Sequence, residues 1–485
     1  MNPTENDIRK LKNLGGGWPS AVDFTKLFSM LPNTTRELWV DPVNGLDTNS
    51  GLSQSSPLKS IQLAVNMFKQ VYSLPHWDLN DNRTIRVMGA MGTEFVENIV
   101  VPPHAGLGAL IIQGEETVVE EGLTVSATPF STIAGYEIDQ TLNIEGTPLT
   151  ANEYQYNGFA VPQVSLATTE FDAGYDGLPI RDNDAGSLTV TAYDPGEWSS
   201  FSYVAGALIN IVQPNLTWRQ ESSAPNSYFN GPVITNLGGA LIIRGFELKA
   251  AEVGYSLGPL MQSFGSVSVF SLPSSMFQRV IITDSKYSRI LSGSQSGFMG
   301  AIIDDPDGII TMSSTDVHIT NLLGRCGFIE FDGPQRTGVY GASLDASGNT
   351  VGGLRFRDGC CSGNHIAADL RASGTEDTQF GVFTGAKIHF GPISVEDAGD
   401  LNCIQVYSSY VDLKIGSNQG RTSGTANNNG VGLDLAEGSW GTAANEANIT
   451  LSGAQGDMTV GSLAARSWTA GSQTDNVDEL SRYST

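Results

Sequence analysis

An all-β chain built as a solenoid of short, stacked strands is the fold class this sequence predicts, and three observations predict it. There are 56 glycines in 485 residues, where ordinary usage of ~7% would give about 34. Charged residues make up 16%, well under the usual ~25%, while hydrophobics at 40% suffice for a large core. Apolar runs of strand length, bounded by Gly or Pro, recur at an interval that suits one coil of three short strands and three turns. Val280 to Ile302 and Ile366 to Ile388 are each 22 residues apart, and Ile388 to Leu413 is 25. The spacing is uneven, so the pattern is that of a solenoid without a strict repeat.

The same arithmetic excludes other classes. A net charge of −25 opposes binding to a phosphate backbone, which needs a basic surface, so no nucleic-acid partner is expected. The chain is too apolar and too weakly charged for disorder, and its Gly, Ser, Thr, Asn and Ile are not coiled-coil residues. No apolar run approaches the ~20 residues of a membrane helix, so no membrane insertion is expected. The opening MNPTENDIRK is polar and lacks the apolar core of a secretion signal, which points to synthesis in a reducing cytoplasm. Cys326, Cys360, Cys361 and Cys403 lack zinc-ligand spacing and read as buried thiols. The five histidines form no metal constellation, and no metal or cofactor is expected. Sequons at Asn33, Asn82, Asn215 and Asn448 carry little weight without a secretion signal.

Along the chain, residues 1–36 form a leader. Phe24, Leu27, Phe28 and Leu31 recur there at helical spacing, and Pro32 ends the piece. Residues 37–120 hold a strand at Leu38–Val40, a turn-rich stretch and then a helix. Ser56 as N-cap and Pro57 at the first helical position would start that helix, with Leu58, Ile61, Ala64, Val65 and Phe68 as its apolar stripe. Short strands follow at Ile85–Met88, Asn98–Val101 and Ala109–Gln113. Residues 121–236 depart from this style, being polar and rich in Asp, Asn, Tyr and Pro, and are expected to form an inserted β-rich subdomain or long loops. Coil style resumes over 237–464, and 465–485 read as a polar tail without periodicity.

Two segments carry a resemblance. VDPVNGLDTNSGLSQSSPLKSIQLAV from Val40, followed by IRVMGAMGTEFVENIVVPPHAGLGALIIQGE from Ile85, resembles the start of a pectate-lyase-like right-handed parallel β-helix. In that family an amphipathic helix caps the open end of the coil stack. The variant opening on a turn-rich DP-NG-D strand is common in bacteriophage tailspikes and in some bacterial surface proteins. The likeness spans Val40–Glu115; beyond it the chain is similar only in style. It implies a homotrimer. The capping makes independent physical sense, because the first coil leaves apolar side chains and backbone groups facing outward, and Ile61, Ala64 and Phe68 are the residues to cover them.

No Walker loop, GxSxG, HExxH or strand-linked GxGxxG occurs. The chemistry within reach is that of paired carboxylates, which glycan hydrolysis uses at separations of about 5 to 9.5 Å. Candidate catalytic residues are Asp305 in IIDDPDG, Glu330 in FIEFDG and Asp358 in RFRDG, which would line one groove if their coils stack. Arg355 and Arg357 could hold an acidic sugar. Tyr193 and Trp198 belong to an aromatic group with Tyr154, Tyr156, Tyr175 and Tyr203, any of which could stack on sugar rings. The competing reading makes these aspartates turn formers and these aromatics local packing. Three roles stay open. One is a virion tailspike or tail-fibre protein that recognises host surface polysaccharide and depolymerises it or merely binds it. Another is a non-enzymatic spike or decoration protein of the tail or capsid. The third is a free bacterial polysaccharide lyase or glycoside hydrolase, which the missing secretion signal disfavours. A virion location, with the leader docking onto other virion proteins, follows from the first two.

Overall fold

The computed structural model describes residues 36–72, 82–101, 109–130, 139–145, 148–163, 177–191, 205–220, 233–237, 240–249, 268–271, 275–283, 287–331 and 336–345, and beyond these the strands between Gly353 and Val477 as backbone. The leader and its helix lie outside the described residues. The chain is mostly β, with a large parallel sheet and a smaller closed antiparallel barrel.

The parallel strands fall into three files. The first runs β1 (Glu37–Val40), β2 (Arg83–Val87), β5 (Leu110–Gly114), β14 (Leu241–Arg244) and β17 (Ser275–Gln278), then residues 296–299 of the long run β19 (Tyr287–Phe331). The second runs β3 (Thr93–Val96), β12 (Leu216–Arg219), β15 (Glu247–Lys249) and β18 (Ile281–Thr283), then 302–304 of β19. The third runs β4 (Ile99–Val101), β13 (Ile234–Asn236) and β16 (Ser268–Ser271), then 289–292 of β19. From β2 to residue 304 the chain visits first, second and third file in unbroken rotation. From β16 to residue 304 the paired residue lies 21 positions on, as in Val269↔Ile290, Phe277↔Phe298 and Ile281↔Ile302.

The register aligns the apolar residues. Leu38, Ile85, Ile112, Ile243, Phe277 and Phe298 form one continuous row of the first file, each at most 2% exposed. Phe95, Trp218, Leu248, Ile282 and Ile303 form the matching row of the second, each at most 7% exposed. One core joins these rows to Ile99 and Ile234 of the third file. Trp218 stacks on Phe95 at 5.7 Å between ring centroids and meets Phe246 edge-on at 5.4 Å. Its indole N–H donates to the Glu97 carbonyl at 2.8 Å, so even its polar atom is satisfied.

The helix α1 (Ile61–Tyr72) lies against β1, β2 and β4 and puts Ile61, Ala64 and Phe68 wholly into this core. It starts four residues later than its sequence suggests, because Leu58 is taken up by a bridge to Val40 of β1. Ser60 is the N-cap, its hydroxyl accepting the Leu63 N–H at 3.1 Å. Glu97 completes the cap from the first coil. Its carboxylate accepts the N–H groups of Ile61 (3.1 Å) and Gln62 (2.9 Å) and the Ser60 hydroxyl (2.8 Å).

The barrel contains β6 (Glu116–Phe130), β7 (Asp139–Glu145), β8 (Phe159–Pro162), β9 (Leu178–Asn183), β10 (Ser187–Thr191) and β11 (Leu208–Pro214), closed in the order β10-β7-β6-β11-β8-β9. Its interior is filled by Leu123, Leu142, Ile180, Leu188, Val190, Ile209 and their neighbours. An insertion read as 121–236 is therefore narrower: the barrel strands run from Glu116 to Pro214, and β12 and β13 already belong to the parallel sheet. Leu216 and Trp218 face the core of the parallel sheet, which the polar residues around them hide from a composition-based reading. The polar tail also contributes strands. Ala465–Trp468 and Asp475–Val477 extend the parallel sheet, since pairing is a backbone property that polar side chains permit.

Two outcomes follow. Replacing Trp218 with Ala lowers the stability of the first coils by about 3–5 kcal/mol, the cost of emptying a large aromatic site, measured as an earlier urea midpoint. Burial raises the Glu97 carboxyl above the ordinary carboxylate range, against the lowering effect of its hydrogen bonds. A raised folded-state pKa gives a contribution complete below the unfolded value and lost as pH rises through the folded one. The stability of the native chain relative to Glu97→Gln therefore falls as pH climbs above the ordinary carboxylate range; a flat difference across that range overturns this.

Candidate functional site

The outward positions of the second file form a polar surface tied together by ion pairs and hydrogen bonds. Glu94, Thr217 and Glu247 occupy one register row, and Arg219, Lys249, Thr283 and Asp304 the next. Arg219 donates to the Glu94 carboxylate at 2.8 Å. The Glu247 carboxylate accepts hydroxyls from Thr217 at 2.6 Å and Thr283 at 2.5 Å, spanning the strands on either side of it. Arg325 reaches back one coil to Asp304, its Nη2 at 2.6 Å. Strand alternation builds this ladder: in β12 and β15 every second residue enters the core, leaving Thr217, Arg219, Glu247 and Lys249 outward.

Further along the Glu94–Glu247 row the outward residues become Ile281 and Ile302, and these are buried. The barrel covers them. Tyr156, Phe159, Val161 and Val212 pack on Ile281, Ile302 and Leu323 as one apolar cluster. Beside it the Arg279 guanidinium grips Glu116 through two nitrogens, at 2.9 and 2.8 Å, with the side chains 5% and 7% exposed. Arg325 lies over the Tyr156 ring at 5.1 Å from its centroid while holding Asp304, so it ties barrel and ladder together. A Cβ on Gly300 would run into the Gly177 carbonyl oxygen, so the two backbones meet without side chains between them.

The residues singled out from sequence are distributed differently. Asp305 is buried, at 9% exposure. Its neighbour Asp304 bonds Arg325, 21 positions on, whereas Glu330 lies 25 positions beyond Asp305. Glu330 pairs instead with Arg355, on the adjacent strand Gly353–Phe356. Asp358, Arg357, Tyr193 and Trp198 lie outside the described residues. Of the aromatic group, Tyr154 is buried in the barrel, where its hydroxyl donates to Glu120 at 3.0 Å, and burial followed by that bond drives its pKa up. Tyr156 belongs to the docking cluster. Packing claims both. Sequence reasoning missed Glu94, Arg219 and Glu247; their signal is the alternation in TEFV, LTWR and ELK, too short to stand out.

Chemically, the ladder is an array of charge-assisted donors and acceptors on a rigid face. Glu94 and Glu247 stand two strands apart, about 9.6 Å between Cα atoms at ordinary strand spacing, near the wider carboxylate separation used in inverting glycan hydrolysis, about 6.5–9.5 Å. Among the described residues, no group of three or more metal-ligating side chains occurs.

No protein-family model matches this chain, and no curated protein matches it. A solved structure named glycoside hydrolase is similar over 91% of this chain and 96% of its own, at 10% identity and a TM-score of 0.25. A likeness of that degree carries neither fold nor activity across.

The docking seam has its own test. Glu116→Gln or Arg279→Met alone leaves a buried charge unpaired and destabilises barrel docking by about 3–5 kcal/mol. The double replacement recovers most of that loss. Thermal unfolding and protease release of the barrel read both.

Proposed function

We propose that this chain is a virion spike protein of the tailspike type, which holds a host surface polysaccharide on the outward ladder of its second file beside the docked barrel. In this reading the three files are the faces of a right-handed parallel β-helix, the hand that crossovers between parallel strands adopt in about 98% of cases. Three chains form a homotrimer, and the leader joins the spike to other virion proteins. The observation that carries the reading is the ladder itself. Arg219, Glu94, Thr217, Glu247 and Thr283 present donors and acceptors in a line along the solenoid, with positions set by sheet register. Sugar hydroxyls need such an array, and a rigid array spares the entropy of ordering it on binding. Cleavage is the second part of the proposal, with Glu94 and Glu247 as its carboxylates.

Binding of the purified full chain to capsule or lipopolysaccharide tests the first part. Arg219→Ala is expected to weaken it about tenfold or more, the loss of a hydrogen bond to a charged group at about 1.5–3 kcal/mol. New reducing ends without unsaturated-uronide absorbance indicate hydrolysis, and their loss in Glu247→Gln assigns it. Binding without products leaves a receptor binder. No binding to any host glycan overturns the reading in favour of a decoration protein. Light scattering is expected to give a trimer, and a monomer overturns that element.

A further inference from the structure

The end of the stack at β1 is sealed against strands but not against side chains. On the outer edge of β1, the Trp39 N–H donates to the Gly51 carbonyl at 2.8 Å and the Asp41 N–H to the Leu58 carbonyl at 2.7 Å, while the Trp39 carbonyl accepts the Leu58 N–H at 2.9 Å. The β4 edge is closed by the Gln62 side-chain amide, which donates to the Val100 carbonyl at 2.9 Å and accepts its N–H at 2.6 Å. The turn segment that performs the first sealing is tightly knit. Asp41 accepts the N–H groups of Val43 and Asn44, and the Leu46 N–H reaches the Pro57 carbonyl. Yet this one segment presents Val43, Leu46 and Leu52 to solvent at 57%, 58% and 43% exposure. Three large apolar residues this exposed on one ordered turn segment mark a surface that something covers.

We propose that this surface is the docking face for the chain's own leader, residues 20–31, seated as an amphipathic helix. Three observations select that occupant. The outer edge of β1 is already used by the turn segment and that of β4 by Gln62, so a strand added beside the turn segment has nothing to pair with there, whereas a helix docks through side chains alone. The leader carries the matching element, with Phe24, Leu27, Phe28 and Leu31 at helical spacing. Its reach is also short: Leu31 lies five residues before Arg36, whose carbonyl bonds Thr84 at this same end. Five residues span at most about 17 Å, which tethers the stripe beside the turn segment. The apolar stripe is thereby covered without a second molecule.

Hydrogen exchange on the dilute full chain tests this. Amides of residues 20–31 are expected to be protected, and to lose that protection in Leu46→Asp/Leu52→Asp and in Phe24→Ser/Phe28→Ser. Val118→Asp, an exposed barrel position, leaves it unchanged. Continued protection of β1–β5 shows that the variants are folded. A Leu27→Cys/Leu46→Cys pair is expected to form a disulfide within one chain, which answers the question even if a charged variant misfolds. An unprotected leader in the native chain overturns the proposal, as does protection indifferent to the patch. Protection that vanishes on dilution, or a disulfide found only between chains, makes the occupant a second copy and overturns it equally.

Discussion

Every parallel strand here has two backbone edges, and the structure depends on where the last unpaired edge is hidden. Inside the stack each strand satisfies the next, so stability accumulates coil by coil. At the β1 end there is no next strand, and bare donors and acceptors would template foreign pairing. The chain solves this with three unlike devices: the 50–58 turn on β1, the Gln62 amide on β4, and α1 across the apolar opening. The helix would itself bring unsatisfied N–H groups to the end. Glu97, just after β3, meets them, so the first coil caps the helix that caps it. The raised pKa of Glu97 is the electrostatic cost of placing that carboxylate where burial makes it effective.

A second constraint lies at the corner between the first and second files. Gly245, Arg279, Gly300 and Asn321 occupy it in successive coils, all with positive φ, at 69°, 45°, 59° and 52°. Two of these are not glycine and bear a conformational cost of order 1–3 kcal/mol. For Arg279 the return is visible: the left-handed corner aims its guanidinium at Glu116. The barrel enters the chain at this same corner one coil earlier. The Asn215 N–H donates to the Glu115 carbonyl at 2.9 Å, so the insertion's ends meet and the rotation through the three files continues as if uninterrupted. The Asn215 side chain bonds Gly89 and Thr117 and is buried, which accounts for that sequon in purely structural terms.

The legible part of this fold was the part governed by local pattern. Leu38–Val40, Ile85, Ile99 and Leu110–Ile112 announce strands through their own alternation and their Gly and Pro boundaries, and the stripe Ile61, Ala64, Phe68 announces a covering helix. What stayed hidden depends on partners far away in sequence. Thr93–Val96 reads as a polar turn until Phe95 is seen against Trp218. Glu116 and Arg279 are 163 positions apart. Asp305 and Glu330 lie 25 positions apart in a stack whose register itself changes, from 21 residues at Ile281↔Ile302 to 25 at Glu330↔Arg355. A stack of parallel strands without a strict repeat tells where its strands are but not which face they share.

That distinction bears on how a site can exist on such a surface. On a regular sheet face, outward residues of successive coils are brought within about 4.8 Å by pairing alone, so a binding line needs no pocket. It needs only that the right residue types fall on one row and that something stops the row from being uniform. Here the row runs Glu94, Thr217, Glu247 and then Ile281, Ile302. Its polar half faces solvent, and its apolar half is the seat of the barrel. The apolar cluster, the buried Glu116–Arg279 pair and the backbone contact at Gly177 and Gly300 together leave the barrel no freedom to slide along that row. The boundary between ladder and barrel is thus as rigid as the sheet, and any ligand lying along the ladder meets the barrel wall at one fixed coil.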